Sequence, residues 1–241
     1  KYLNEQILIW GTRALNSKDC RFVFKRECMG DVGIFLQKKR YVLHVLDDEG
    51  IACNKFKYTG VEVVRSTLPK TIKPMVKNVI ETMMTTESYA DTNKCFREAY
   101  DTFKSLPIED IAFVMGIREY DKYANKCNGY QVCKGMPIHV KAAYFYNMLL
   151  EKEMLTNQFE TISNGDKVRY YYVNVPNRLG ITSLAYKQYI PDSFKNDFPP
   201  DMQMMFDKIV YSIIDRFYTA VNWTLSRPNK QVQTDLFALL G

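Results

Sequence analysis

The chain has 241 residues, 46% of them hydrophobic and 14% aromatic, which is enough apolar material for one large packed domain or two small ones and too much for a disordered chain. Its net charge is +6, and residues 1–80 carry 15 basic against 8 acidic side chains; such a basic front either attracts a polyanion or is an ordinary solvated face. No apolar run approaches the roughly 18–20 residues of a membrane span, and the first ten residues carry no secretory pattern. None of the six cysteines (Cys20, Cys28, Cys53, Cys95, Cys127, Cys133) form a Cys-x-x-Cys pair, and His44 and His139 are the only histidines, so no zinc site is expected. The expectation is a soluble intracellular protein, without a membrane partner and with reduced cysteines.

In chain order, residues 2–16 read as an amphipathic helix with Leu3, Ile7 and Trp10 on one side and Gly11 near its end. Residues 21–28 alternate as a strand does, Phe22 and Phe24 against Arg21 and Lys25. Residues 39–46 read as another strand, Asp47-Asp48-Glu49-Gly50 as a turn, and Ile51–Tyr58 as the returning strand of a β-hairpin. After the apolar stretch Val61–Val64, Pro69 and Pro74 frame a helix ending near Thr85, with Val76, Val79, Ile80 and Met83 as its buried stripe. A second helix spans about 91–105, with Cys95, Phe96, Tyr100 and Phe103 inward, and Leu106-Pro107 breaks it. Residues 111–117 predict a buried strand, 137–151 a helix, Lys167–Val175 a strand after the turn Asn164-Gly165-Asp166, and 200–222 a long helix. This mixed order places the chain in the α+β class.

The most specific local feature is Lys38-Lys39-Arg40-Tyr41. Three adjacent cations repel one another, and a phosphate backbone or groove edge rewards that crowding where water does not. On a strand, Lys39 and Tyr41 point to one side and Lys38 and Arg40 to the other. One pair can then enter a minor groove, where every base offers an acceptor whatever the sequence. A lysine cluster that keeps an edge strand solvated and unaggregated is the other reading.

The run Lys38–Tyr41, preceded by Phe22-Val23-Phe24-Lys25-Arg26-Glu27, resembles the late-palm region of family B DNA polymerases, in particular bacteriophage replicative enzymes of the T-even type. Tyr58-Thr59-Gly60-Val61-Glu62-Val63-Val64-Arg65-Ser66-Thr67-Leu68-Pro69-Lys70 is similar to that family's palm-to-thumb segment. Lys134-Gly135-Met136-Pro137-Ile138-His139-Val140-Lys141 resembles a thumb segment that lies along the DNA backbone, and Gly165–Val168 with Tyr170–Val173 resembles a later thumb strand. The resemblance runs through nearly the whole chain in order. It implies the end of a palm built on an antiparallel hairpin (1–66), a mostly helical thumb (67–229) and a C-terminal clamp-binding tail (230–241). It further implies that Lys39 probes the minor groove at the primer end, supported by Lys38, Arg40 and Tyr41. Lys134, His139 and Lys141 become backbone contacts, and Arg65 and Lys167 further DNA contacts. His139 also reads as a structural histidine at a helix start, and Lys167 as a common turn lysine.

Nucleotidyl transfer in that family requires two palm aspartates holding two Mg²⁺ ions. The sequence contains no Asp-x-Asp, and Asp47-Asp48-Glu49 with Gly50 reads as a surface turn. The resemblance therefore implies that Mg²⁺ is bound by residues outside this chain and that no residue here is catalytic. The first residue is Lys1 rather than Met, so a split or processed product is expected, inactive alone and completed by an N-terminal polymerase chain carrying exonuclease, fingers and catalytic palm. Phage DNA replication in a host cytoplasm is the setting the resemblance implies. The last residues, Gln231–Gly241, place Leu-Phe and further leucines after a polar lead-in, the build of a short peptide that anchors in an apolar groove. By resemblance, Gln233, Leu236, Phe237 and Leu240 bind a sliding clamp; a segment tucked onto its own thumb is the alternative. A non-enzymatic DNA-binding or clamp-binding accessory protein with a thumb-like fold remains the second reading of the whole chain. An unrelated RNA-binding protein is disfavoured, because no aromatic-rich RNA-binding strand motif is present.

Overall fold

The computed structural model describes residues 2–16 and 23–228. The fold is α+β, with two three-stranded antiparallel sheets and helices between and around them. Helix α1 (Tyr2–Ala14) leads into an extended segment and then the first sheet, β1 (Cys28–Gln37), β2 (Arg40–Asp48) and β3 (Ile51–Thr59), in the order β1-β2-β3. A 3₁₀ turn (Glu62–Val64) carries the chain to α2 (Ile72–Thr86) and α3 (Tyr89–Lys104). The second sheet gathers β4 (Phe113–Gly116), β5 (Lys167–Tyr172) and β6 (Ser183–Tyr186) from three distant parts of the chain. Short helix α4 (Ile108–Ile111) lies against β5, α5 (Tyr120–Ala124) lies against α6 (Ile138–Lys152), which packs across the sheet, and α7 (Asp192–Asp197) follows β6. The last helical stretch is α8 (Met202–Phe206), a π turn (Asp207–Tyr211) and α9 (Ser212–Ala220).

The hairpin between β2 and β3 closes through Glu49 and Gly50, both at positive φ, and the Gly50 N–H donates to the Asp47 carboxylate at 2.9 Å. Helices α2 and α3 form an antiparallel pair whose stripes are buried where the periodicity placed them: Val76, Val79, Ile80 and Met83 face Cys95, Phe96, Tyr100 and Phe103. The Ser88 hydroxyl caps α3 by accepting from the Asp91 N–H. Phe206 closes this core, its ring 4.8–5.5 Å from those of Phe96, Tyr100 and Phe103. Asn147 pins α6 to the neighbouring loops by donating to the Tyr120 hydroxyl and the Ile162 carbonyl and accepting from the Ile162 N–H, each at 2.8 Å. No helix among the described residues is long and apolar enough to cross a membrane.

Four sequence expectations need correction. Lys38 and Lys39 lie in the turn between β1 and β2, not on the strand, which begins at Arg40. The predicted strand at 21–28 is irregular over residues 23–27 and becomes a strand only at Cys28; Arg21 and Phe22 lie outside the described residues. The expected single helix over 200–222 carries a π turn in its middle. Finally, α1 forms as expected, yet Gly11 is its one buried residue, and Leu3 and Trp10 are more than half exposed.

Candidate nucleic-acid interface

The first sheet has two unlike faces. Ile34 and Val42 are buried on the side that meets α2 and α9. Strand alternation puts Gly33, Phe35, Tyr41 and Leu43 on the other side, where Phe35 is open to solvent and its ring leans on Tyr41 at 5.5 Å between centroids. At the end of this face, Gln37 pairs with Arg40 across the two-residue turn Lys38-Lys39. Both lysines are exposed, and neither has a partner among the described residues.

The turn is held from below. Lys39 sits at φ +62°, a left-handed conformation that costs a non-glycine residue about 1 kcal/mol. Gly60, at φ +64°, lies so close that a Cβ there would stand 2.1 Å from the Lys39 carbonyl oxygen. Only glycine lets the segment after β3 lie against the turn.

Glu62 anchors the same region. Its Oε1 meets Arg216 at 2.6 Å, Arg40 at 3.3 Å and Arg65 at 3.9 Å, joining β2, the 3₁₀ turn and α9. Burial pushes the Glu62 carboxyl up, but its own backbone N–H and the Arg216 and Arg40 guanidinium groups outweigh this and hold it below the usual carboxylate value. Arg40 and Arg65 are thus engaged in a protein ion cluster, whereas Lys38 and Lys39 are free to meet a partner.

A second group of candidates gathers at the start of α6. Lys134 is exposed in the turn before it, and His139 and Lys141 lie in its first turn, which holds no acidic residue. A helix start flanked by cations attracts an anion. Burial pushes the His139 imidazole down, so it faces this position as a neutral ring, 6.3 Å from that of Tyr170. The Lys141 ammonium rests over the Phe145 ring at 5.7 Å.

Lys167 opens β5 and lines a cleft of about 590 Å³ between Ser66–Thr71 and the second sheet, together with Lys70, Arg169 and Lys187 and with the acidic Glu109 and Asp110. Arg169 donates to the Glu109 carbonyl, and Lys187 pairs with Asp166 and Glu160. Lys70 and Lys167 have no partner among the described residues. Phe35 and Arg216 escaped the sequence reading, and Glu62 and Lys70 were read only as part of the palm-to-thumb segment, with no site role. The alternation Val32, Ile34, Leu36 against Gly33, Phe35, Gln37 was the signal for β1 and hence for Phe35.

Gln233, Leu236, Phe237 and Leu240 lie outside the described residues. No group of three or more His, Cys, Asp or Glu side chains among the described residues can hold a metal ion.

The lysine-tipped turn of the first sheet, Lys70 and Lys167 in the cleft, and Lys134 and Lys141 at the start of α6 thus offer cations to a polyanion. The model of the family described as DNA polymerase family B matches residues 29–220, a span that contains all of these cations. Among curated proteins none matches the chain. With most of its length matched, the chain belongs to DNA polymerase family B.

Proposed function

We propose that this chain is the primer–template-gripping part of a DNA-directed DNA polymerase, with residues 1–66 as the end of the palm and 67–229 as the thumb. One observation carries the reading. Two lysines with no partner among the described residues project from the turn of a sheet whose one face is buried in the core and whose other face exposes Phe35 close to that turn. A solvated edge does not require that turn to be pinned by Gly60, and a probe of duplex shape does. In this reading Lys39 enters the minor groove at the primer end, and Lys38 and Tyr41 flank it. Arg40 and Arg65 act through the Glu62 cluster that holds the turn. Lys134, His139, Lys141 and Lys167 follow the backbone farther along the duplex, His139 as a neutral donor. Mg²⁺ is held by carboxylates outside residues 1–241, and nucleotidyl transfer occurs there. The experiment is titration of the 241-residue chain with a primer–template duplex over a range of salt. Binding that weakens steeply with salt is expected; salt-independent binding, or none, would sink the reading.

Two finer parts of the proposal rest on separate observations. Leu3 and Trp10 on α1, and Val23 and Phe24 beside it, are more than half exposed, while Asn4 clasps the Phe24 backbone at 2.7 and 2.9 Å. An ordered apolar surface of this kind fits another protein surface better than water. Its proposed partner is the N-terminal polymerase chain carrying exonuclease, fingers and catalytic palm. A non-enzymatic accessory protein has no need of that partner. Copurification with an Asp-Thr-Asp-containing chain, and extension by the pair alone, separate the two readings. The tail from Gln233 to Leu240 is proposed to bind a sliding clamp, as the T-even-like resemblance suggests. Deleting residues 233–241 is expected to lower processivity with the clamp and leave duplex binding unchanged.

A further inference from the structure

Between α5 and α6 the chain doubles back on itself. Asn128 and Gln131 exchange backbone hydrogen bonds, each at 3.0 Å, around Gly129 and Tyr130. Gly129 takes φ +55° at the bend. Helix α6 holds this bend from outside it. The Tyr144 hydroxyl donates to the Gly129 carbonyl and the Lys152 ammonium to the Tyr130 hydroxyl, each at 2.9 Å.

The returning chain brings two cysteines together. The Cys127 and Cys133 thiols both donate to the Tyr123 carbonyl, 3.3 and 3.8 Å from its oxygen. The Cys133 backbone N–H and thiol also reach the Cys127 sulfur. The Met136 thioether lies 4.0 Å from that sulfur on another side. Cys95 shows the contrast. It is buried and accepts from Asn78 and Thr82, as a cysteine packed into a core does. Cys127 and Cys133 are only half-buried, so a small solute can meet them. Because the bend is already held by α6, joining their sulfurs requires little further ordering.

We propose that Cys127 and Cys133 form a dithiol site that closes into a disulfide when it meets a low-molecular-weight disulfide such as oxidised glutathione, and so ties off the connection that leads into α6. One cysteine thiolate attacks a glutathione sulfur, the glutathione S–S bond breaks, and one glutathione leaves as its thiolate. The other cysteine gives its proton to solvent and displaces the second glutathione. Two cysteine thiols are oxidised, and one glutathione disulfide is reduced to two thiols. Burial pushes the Cys127 thiol up, so its thiolate is scarce; Cys133 is the entering group and Cys127 the resolving one. Lys134 follows Cys133 directly, so closure fixes the start of the segment that carries it into α6. The proposal stands apart from the DNA reading and needs no nucleic acid.

The test equilibrates the full 241-residue chain with oxidised glutathione and an excess of reduced glutathione, then alkylates the remaining thiols and digests with trypsin. Cleavage after Lys126 and Lys134 releases both sulfurs in one peptide, residues 127–134. That peptide is expected to lack two hydrogens and take no alkyl group at a glutathione ratio where Cys28, Cys53 and Cys95 are still alkylated. A lone cysteine gains nothing from a neighbour, so Cys127→Ser and Cys133→Ser are each expected to leave the remaining thiol alkylated at that ratio. With oxidised glutathione alone, Cys127→Ser is expected to trap glutathione on Cys133 faster than Cys133→Ser traps it on Cys127. In urea the wild-type chain is expected to need a higher proportion of oxidised glutathione, because the fold and not the spacing alone holds the sulfurs together. A peptide alkylated at both cysteines at every ratio, a main product that joins either one to another cysteine, or an unchanged ratio in urea overturns the proposal.

Discussion

The two sheets have the same size and the same antiparallel order, yet they serve opposite ends. Every residue of β6 is buried, and β5 buries Val168, Tyr170 and Tyr171 between α6 and its surroundings. In the first sheet, β1 buries only Ile34 and β2 only Val42 and Val45. The second sheet is therefore a structural centre in which side-chain identity is set by packing. The first is a platform: one face holds it to the helices and the other leaves Phe35, Tyr41 and two lysines available. A surface sheet is a safe place for binding chemistry because its exposed residues contribute little to folding.

Substitution can test that contrast, and the largest effect is expected where the aromatic core is densest. Phe206→Ala should cost about 3–5 kcal/mol, because it opens a cavity among Phe96, Tyr100 and Phe103. Phe35→Ala on the open face should stay within about 0.5 kcal/mol. Urea denaturation measures both, and similar losses at the two positions would break the comparison.

Glu62→Gln comes next. It removes the charge that holds three arginines and should cost about 1–2 kcal/mol, since the arginines are themselves part-exposed. Because the folded-state carboxyl titrates below its unfolded value, its contribution is fully present above about pH 4.5 and is lost as pH falls through the folded value. The variant's stability should lack that acid limb, as denaturation between pH 3 and 6 would reveal.

Lys39→Gly divides folding from function. Glycine accepts φ +62° without strain, so stability should rise by about 0.5–1 kcal/mol. Loss of the ammonium should weaken duplex binding and lower its salt slope by about one unit if Lys39 meets a phosphate. A loss that depends on correct pairing at the primer end points to the minor groove instead. Stability and affinity moving in the same direction would contradict the assignment of Lys39 to binding.

The smallest effect belongs to His44. Its ring nitrogens meet the Asn54 and Asp31 side-chain oxygens at 2.6 and 2.7 Å, and those bonds raise its pKa. A raised folded-state value gives stability that is present below about pH 6.5 and is lost as pH climbs through the folded value. A slight fall in melting temperature between pH 6 and 8, absent in His44→Gln, is the expected result.

Much of the fold was legible because periodicity is local. The stripes of α2, α3 and α6 follow from residue spacing alone. The hairpin at Glu49-Gly50 was legible because Asp-Asp-Glu-Gly is turn chemistry. The Lys38-Lys39 turn was not, since lysines are poor predictors of a left-handed residue, and the strand before it was missed with it. Strand β6 and helix α7 escaped because four to six residues give too little pattern. The basic run Lys38–Arg40 was legible in the sequence, but its division into paired and unpaired cations was not. Which cations are free depends on Glu62, whose partner Arg216 lies 154 residues away.

The contact between Gly60 and the Lys39 carbonyl has a mechanical meaning. It couples the hairpin tip to the strand exit, and Glu62, two residues on, couples that exit to α9 through Arg216. Tyr58, two residues before Gly60, ties the same strand to α2 by donating to Glu81 at 2.5 Å. The tip is thus one end of a short lever whose other end is seated in the helices. Through these static contacts, the position of the Lys39 ammonium depends on where α2 and α9 sit as well as on the hairpin itself.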